Sequence, residues 1–484
     1  MRSTRERSLP FGIILASMAF LAIADMLTGC SQTPSAPSAP LQVESGPWQI
    51  GTQIEVRVHT LPPRSGQIVA LKLLAPVATS PKPLIGRKAD FFGLAGVQLL
   101  WLTPEQQETE IALAAAAGSQ AIGLDFEWRN IEPKPGQFNW DGTDRVVALA
   151  GRYGLRLVPM LMYTPRWASS AAFAPLDYHH APPMNLNDYR DFVYAVVNRY
   201  KPRQATDFGI RDWVIWNEPN VNSPLNVPQP GNFWSGSLEE YIQLLRAGYE
   251  GAHAADPNCN VLNGALADVS WEEGEADLIT ALERLYDPNG DGVAGDGGRP
   301  FFDTLNIHLY PTGEPDSGWY TTRLDAVTRV MKRFGDENKR VWITETGFGS
   351  VAPPTLDAPY LNEGAQADAV RLVYETTAAY PQVERVFWWS LREYYQDASA
   401  TNREMEAHFG LLRAGFTPKP AYLAYARLTG YLDQAFTLSA TTDSEGAASV
   451  VLPAKLIAQP GYYVLFVSSV QFPDTTVVVH HVQP

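Results

Sequence analysis

The sequence predicts an α/β fold, a (β/α)8 or TIM barrel, with a small accessory β-domain formed by the C-terminal tail and completed by strands ahead of the barrel. Three observations predict it. Short apolar runs alternate eight times with helical segments, and such alternation implies parallel strands joined by helical crossovers. Polar and acidic residues end several of the runs, where a barrel has its mouth. The 484 residues suit a barrel of about 250 residues with insertions and appendages. A doubly wound open sheet is the competing architecture, but no Gly-rich phosphate loop supports it.

The first 29 residues read as an address rather than as structure. Arg2, Arg5 and Arg7 precede an apolar run from Phe11 to Leu27, interrupted by Asp25. The run is too short and broken for a retained membrane anchor. Leu27-Thr28-Gly29-Cys30 resembles a bacterial lipobox. That resemblance implies cleavage before Cys30, a lipid on its sulfur, and export to the bacterial cell envelope. An ordinary signal peptide with an incidental cysteine is the alternative. Residues 30–45 hold a Pro/Ser/Ala-rich stretch that cannot build a core and reads as a tether. With Cys30 processed, Cys259 stands alone, so no internal disulfide is expected, and no Cys/His spacing fits zinc. The net charge of −15 argues against nucleic acid as a partner. The pairs His179-His180 and His480-His481 are expected on the solvated surface.

Residues 46–80 show strand character, as in Gln53–Val58. The barrel is expected over 81–431. Its eight apolar runs lie near Phe92–Leu102, Ala121–Trp128, Leu155–Tyr163, Trp213–Glu218, Asn260–Leu266, Phe302–Tyr310, Arg340–Thr346 and Arg385–Leu391. Thr103-Pro104-Glu105 opens the first helix with a cap and an N1 proline, and Gly118 closes it. Asp141 is expected to cap a helix over Val146–Tyr153. Further helices are expected near Asp188–Tyr200, Leu238–Ala254, Ala276–Leu285, Thr322–Phe334, Ala365–Ala379 and Ala421–Tyr431. From 432 to 484, Ala447–Leu452, Tyr462–Val470 and Thr475–Val479 read as strands.

Two runs end in a glutamate. The fourth ends Trp213-Val214-Ile215-Trp216-Asn217-Glu218-Pro219, and the seventh Val341-Trp342-Ile343-Thr344-Glu345-Thr346-Gly347. A glutamate directly after a buried strand serves stability poorly unless paired. Two of them at one barrel mouth point to chemistry.

These residues resemble the large clan of (β/α)8 retaining glycoside hydrolases over roughly Phe91–Leu432. The resemblance implies Glu218 as acid/base, Glu345 as nucleophile, Asn217 on the sugar 2-hydroxyl, a carbohydrate substrate and no cofactor. His308 and Tyr310, on the sixth run, match clan residues near the nucleophile; Tyr310 either bonds Glu345 or is a rim aromatic. Arg129, after the second run, either supports the nucleophile or forms a structural salt bridge. The clan often floors its sugar site with a tryptophan of the eighth strand. Alternation allows only one of Trp388 and Trp389 to face inward. Trp167 is a wall of the site or part of the core. Phe409-Gly410-Leu411, leading to Thr417–Tyr422, is a common clan approach to the last helix. The layout is most similar to the xylosidase-like family 39; the endoglucanase-like family 5 and arabinofuranosidase-like family 51 stay open.

Asp287, Asn289 and Asp291 are spaced like the first half of a calcium loop, but position twelve is Gly298. A solvated turn is the alternative, and no catalytic metal is expected. Other function classes remain open: a binding lipoprotein on a catalytically dead barrel, a transglycosidase, or a structural surface protein. The sugar is not legible, because loops such as Ala168–Met184 and Asn222–Ser235 would set it.

Cys30→Ala is expected to move the protein from the membrane to the soluble fraction. Unchanged membrane fractionation of that variant contradicts the lipid reading.

Overall fold

A computed structural model describes residues 41–482, apart from 47, 61–62, 64–65, 75–89, 98, 174–177, 205–207, 222–232, 269–276, 293–300, 312–313, 351–360, 394–407, 431–435, 458–460 and 470–474. The signal segment, Cys30 and most of the tether lie outside the described residues. So does much of the expected specificity loop 222–235.

Eight parallel strands form the barrel. In order they are Phe92–Ala95, Ala121–Glu127, Arg156–Met162, Asp212–Ile215, a fifth strand in two pieces, Leu305–Leu309, Val341–Thr346 and Val383–Trp389. The first pairs with both the second and the eighth. The fifth is interrupted where a single run was expected. Asn260–Asn263 pairs with the fourth strand, and Leu266–Ala267 pairs with the sixth. The ring therefore closes across a break.

Side chains bridge that break. The Asn263 carboxamide accepts from the Asn306 backbone N–H at 2.8 Å and donates to the Asn306 carbonyl at 3.0 Å. It stands in for a backbone ladder residue. The Gly264 N–H donates to the Tyr241 hydroxyl at 2.5 Å, and that hydroxyl donates to the Ile215 carbonyl at 3.0 Å. Backbone groups leaving the ladder thus keep partners, as buried polar groups require.

The helices follow their caps. Thr103 and Gln106 form a reciprocal capping box on Pro104–Ala116, and Ser237 with Glu240 forms another on Leu238–Ala255. Asp141 is not the cap expected of it. It is the first helical residue of Asp141–Arg152, and Trp140 holds the cap position without a side-chain bond. The helix expected at Thr322 begins earlier, at Ser317, because Asp316 caps it by accepting from the Gly318 N–H.

Both chain ends build the accessory unit. Leu41–Ser45, Ile54–Thr60 and Ala447–Leu452 form one antiparallel sheet. Ile68–Leu74 lies between Phe436–Thr441 and Gly461–Ser469, which in turn pairs with Thr475–Val482. Val56, Val58, Leu71, Leu465 and Val467 share a core between the sheets. Phe466 stacks on Tyr422 of the helix Pro420–Leu428, with ring centroids 6.2 Å apart. That contact seats the unit on the barrel.

The barrel interior is tightly filled at Gly93, where a Cβ would lie 2.4 Å from the Phe387 ring. Gly93→Ala is expected to cost about 1–3 kcal/mol, read from denaturant unfolding, with Phe387→Leu in the same chain recovering part of it. Unchanged stability contradicts this packing.

Candidate active site

Glu218 and Glu345 meet at the mouth of the barrel. Glu218 follows the fourth strand with its backbone at φ 40°, and Trp216 just before it is at φ 72°. Residues other than glycine rarely take this region, and such outliers cluster at functional sites. Glu345 lies within the seventh strand. Glu218, Glu345 and His308 each place one oxygen or nitrogen within 4.8 Å of the others'.

A chain of buried hydrogen bonds decides where the proton sits. The Asn306 amide donates to the Asn263 carbonyl at 3.3 Å, which orients its own oxygen toward Thr344. The Thr344 hydroxyl spends its single proton on that oxygen at 2.7 Å. Thr344 must then accept from His308 Nε2, 3.0 Å away. Burial pushes the His308 pKa down, so the ring is neutral and its Nδ1 carries no proton. Nδ1 lies 2.6 Å from Glu218 Oε1. Between a bare nitrogen and a carboxyl, the proton belongs to Glu218.

Electrostatics agree. Burial pushes the Glu218 pKa up to about 8. Glu345 is also raised, to about 7, by burial first and then by the neighbouring Glu218 and Asp125. Opposing them is the Tyr310 hydroxyl, which donates to Oε2 at 2.8 Å; His308, 3.6 Å from Oε2, adds to this only when it takes up a proton. The two carboxyls thus differ in acidity, one held protonated and the other offered a donor.

The other expected residues fall into place around them. Asn217 is buried with its side-chain oxygen unpartnered among the described residues. Arg129 donates to Glu127 at 2.7 Å and lies over the Tyr163 ring, 4.9 Å from its centroid. Trp388 is fully buried, its indole donating to the Phe409 carbonyl at 3.1 Å. Trp389 is partly exposed and packs edge-on against Phe409, which packs against Tyr310. Trp389, not Trp388, is therefore turned toward the carboxylates. Trp167 packs on Trp128, and its indole donates to the Glu132 carbonyl at 3.0 Å.

His179 and His180 are buried rather than solvated, packed against Tyr163. Backbone bonds from Ser170 to Pro182, from Met184 to Ala168 and from Thr164 to His179 hold the pair inward. Their polarity hid this, as it hid Asp125, Thr344, Asn263 and Asn306. The only available sign was that these residues sit on or beside barrel strands.

The Glu218–His308–Glu345 group does not fit a metal. Ligands about 2.0–2.2 Å from one ion sit roughly 3 Å or more apart, and the 2.6 Å contact is a proton bridge. At Asp287 both carboxylate oxygens accept backbone N–H groups of Asp291 and Gly292, as in a closed turn.

No family model matches the chain. A β-xylosidase from Caldicellulosiruptor saccharolyticus is 21% identical over 305 residues, 60% of this chain and 56% of that protein. The chain thus spans little more than half the length of that curated relative. A family 39 glycoside hydrolase from the gut symbiont Bacteroides cellulosilyticus WH2 superposes with a TM-score of 0.52 at 15% identity, covering 90% of this chain and 86% of that one. A monomeric β-xylosidase from Caulobacter crescentus CB15 gives 0.52 at 15%, over 80% and 75%. A GH5_18 structure from Streptomyces cattleya, in complex with Manb1-4GlcNAc, gives 0.51 at 17%, over 70% and 80%. At these identities the likenesses establish a shared fold.

The raised carboxyls set a pH dependence. Unfolded, Glu218 titrates near 4.5, while folded it holds its proton to about 8. Its stabilising contribution is full below the unfolded value and is lost as pH rises through the folded one. The melting temperature is expected to fall between pH 5 and 8, and to fall less in Glu218→Gln. Identical slopes for the two proteins contradict the buried-acid assignment.

Proposed function

We propose that this protein is a retaining glycoside hydrolase, with Glu218 as acid/base and Glu345 as nucleophile. The observation that carries this reading is the spacing of the two carboxyls. One oxygen of each lies within 4.8 Å of one of the other's, which suits the roughly 5–5.5 Å between carboxyl groups of retaining sites better than the roughly 6.5–9.5 Å that leaves room for an inverting water.

The steps follow from the geometry. Glu345 attacks the anomeric carbon as the bond to the leaving oxygen breaks and Glu218 protonates that oxygen. The sugar is then an ester of Glu345. Glu218, now ionised, takes a proton from water as that water attacks the same carbon, and Glu345 leaves. Tyr310 spreads the charge on the Glu345 oxygen while it is free. Asn217 supplies a polar side chain beside the acid for the sugar 2-hydroxyl, and Trp389 an aromatic face for the ring. The likeness to β-xylosidases and to families 39 and 5 supports a carbohydrate substrate. Lipid anchoring through Cys30 would hold the enzyme at the cell envelope, a proposal that rests on the sequence alone.

Glu345→Ala is expected to abolish hydrolysis of every aryl glycoside the wild type cleaves, while leaving the unfolding transition in place. Glu218→Ala is expected to lose about 10²–10⁴-fold on substrates with poor leaving groups and far less on nitrophenyl glycosides. Equal losses on both substrate types contradict the acid/base role.

A further inference from the structure

A third carboxylate in the barrel has no task in the mechanism above. Asp125 lies on the second strand, two positions after Gly123, whose Cβ direction faces Ala95 and Phe387 inside the barrel. Side chains alternate along a strand, so Asp125 and Glu127 also point inward. Glu127 is engaged: one of its oxygens accepts from Arg129 at 2.7 Å and from Asn130 at 2.9 Å. Asp125 makes no side-chain hydrogen bond among the described residues and keeps partial access from outside. Its charge reaches both Glu345 and Tyr163. It shares the barrel interior with the nucleophile; burial, then Glu127, push its own pKa up to about 7 while Arg129 pulls it down, so it is ionised above that pH.

An inward carboxylate without a partner is costly unless a ligand completes it. Other groups nearby await the same completion. The Asn217 side-chain oxygen, Glu218 Oε2 and His180 Nδ1 are all buried without partners among the described residues. The two side-chain oxygens among them are acceptors, which suits a ligand that offers hydroxyl donors. The surroundings offer an anion little. Arg129 is held by Glu127, and burial keeps His180 and His308 neutral. A carboxylate brought in by a ligand would face Asp125 and Glu345 and would have to compete with Glu127 and Asp125 for the charge of Arg129.

We propose that Asp125 is a specificity-determining residue that accepts a hydroxyl of the sugar held at Glu345 and rejects sugars bearing a carboxylate. The substrates are then neutral or amino glycosides, not uronides. The glycosidase reading enters only by making the ligand a sugar; the charge selection is a property of the pocket.

Binding of non-hydrolysable phenyl thioglycosides tests this apart from catalysis. Matched neutral and uronic partners in the gluco and galacto series, both anomers, are titrated by calorimetry into the full-length wild type and Asp125→Asn. Asparagine keeps the shape and an acceptor but removes the charge. The wild type is expected to prefer a neutral ligand by about tenfold or more, and Asp125→Asn to close that gap by gaining on the uronic partner, since like charges brought together cost several kcal/mol. Equal binding of both partners by the wild type overturns the proposal. So does an unchanged preference in the variant, a joint loss of both ligands, or no binding in any series. Hydrolysis of the O-linked counterparts, compared with Glu345→Ala, is read in parallel. Selective binding without hydrolysis removes the glycosidase reading and leaves Asp125; hydrolysis without selectivity does the reverse.

Discussion

The short contact between Glu218 and His308 is the constraint on which the rest of the site depends. It stores a proton where the strand ends converge, and it does so because of what lies behind it. Thr344 presents only an acceptor to the ring, since Asn306 takes its proton. Asn306 is oriented in turn by Asn263. The links come from the fifth, sixth and seventh strands and from the end of the fourth, so barrel closure and proton placement are one structural fact. The break in the fifth strand is part of this, because it frees the Asn263 side chain to bond its neighbour's backbone.

Burial drives the electrostatics and the scaffold bears its cost. Charged carboxylates in a dry cavity are unfavourable, and each responds by holding its proton longer. Glu218 is the extreme case. Glu345 is drawn the other way by the Tyr310 hydroxyl. Two chemically identical side chains thus acquire different tasks from their surroundings. Further out, Trp389, Phe409 and Tyr310 form a continuous aromatic edge beside Glu345. The eighth strand and the following loop deliver it, and the buried Lys419 fastens that loop through the His408 carbonyl at 3.0 Å.

Much of this was legible in the sequence. Apolar runs marked all eight strands, capping residues marked several helices, and both glutamates stood at strand ends. What stayed hidden has physical causes. Parallel strands buried on both faces show no polar alternation, so inward and outward positions could not be told apart at Trp388 and Trp389. Register shifts at Ile307/His308 and between Ile343 and Thr346 upset simple counting where the site is built. The break at Gly264 depends on Tyr241, which is remote in sequence. His179 and His180 read as surface because polarity ordinarily means exposure, and a loop that folds inward leaves no periodic signature.

The central claim is that Glu345 forms a bond to the sugar while Glu218 manages the proton. Incubation with a 2-deoxy-2-fluoro analogue of the best aryl glycoside substrate, followed by peptide mapping by mass spectrometry, tests it most directly. The fluorine slows the release of the intermediate. The account expects one added fluoroglycosyl mass, located on the peptide containing Glu345. Turnover that leaves no adduct and releases the sugar with inverted anomeric configuration, or an adduct on another residue, would contradict it.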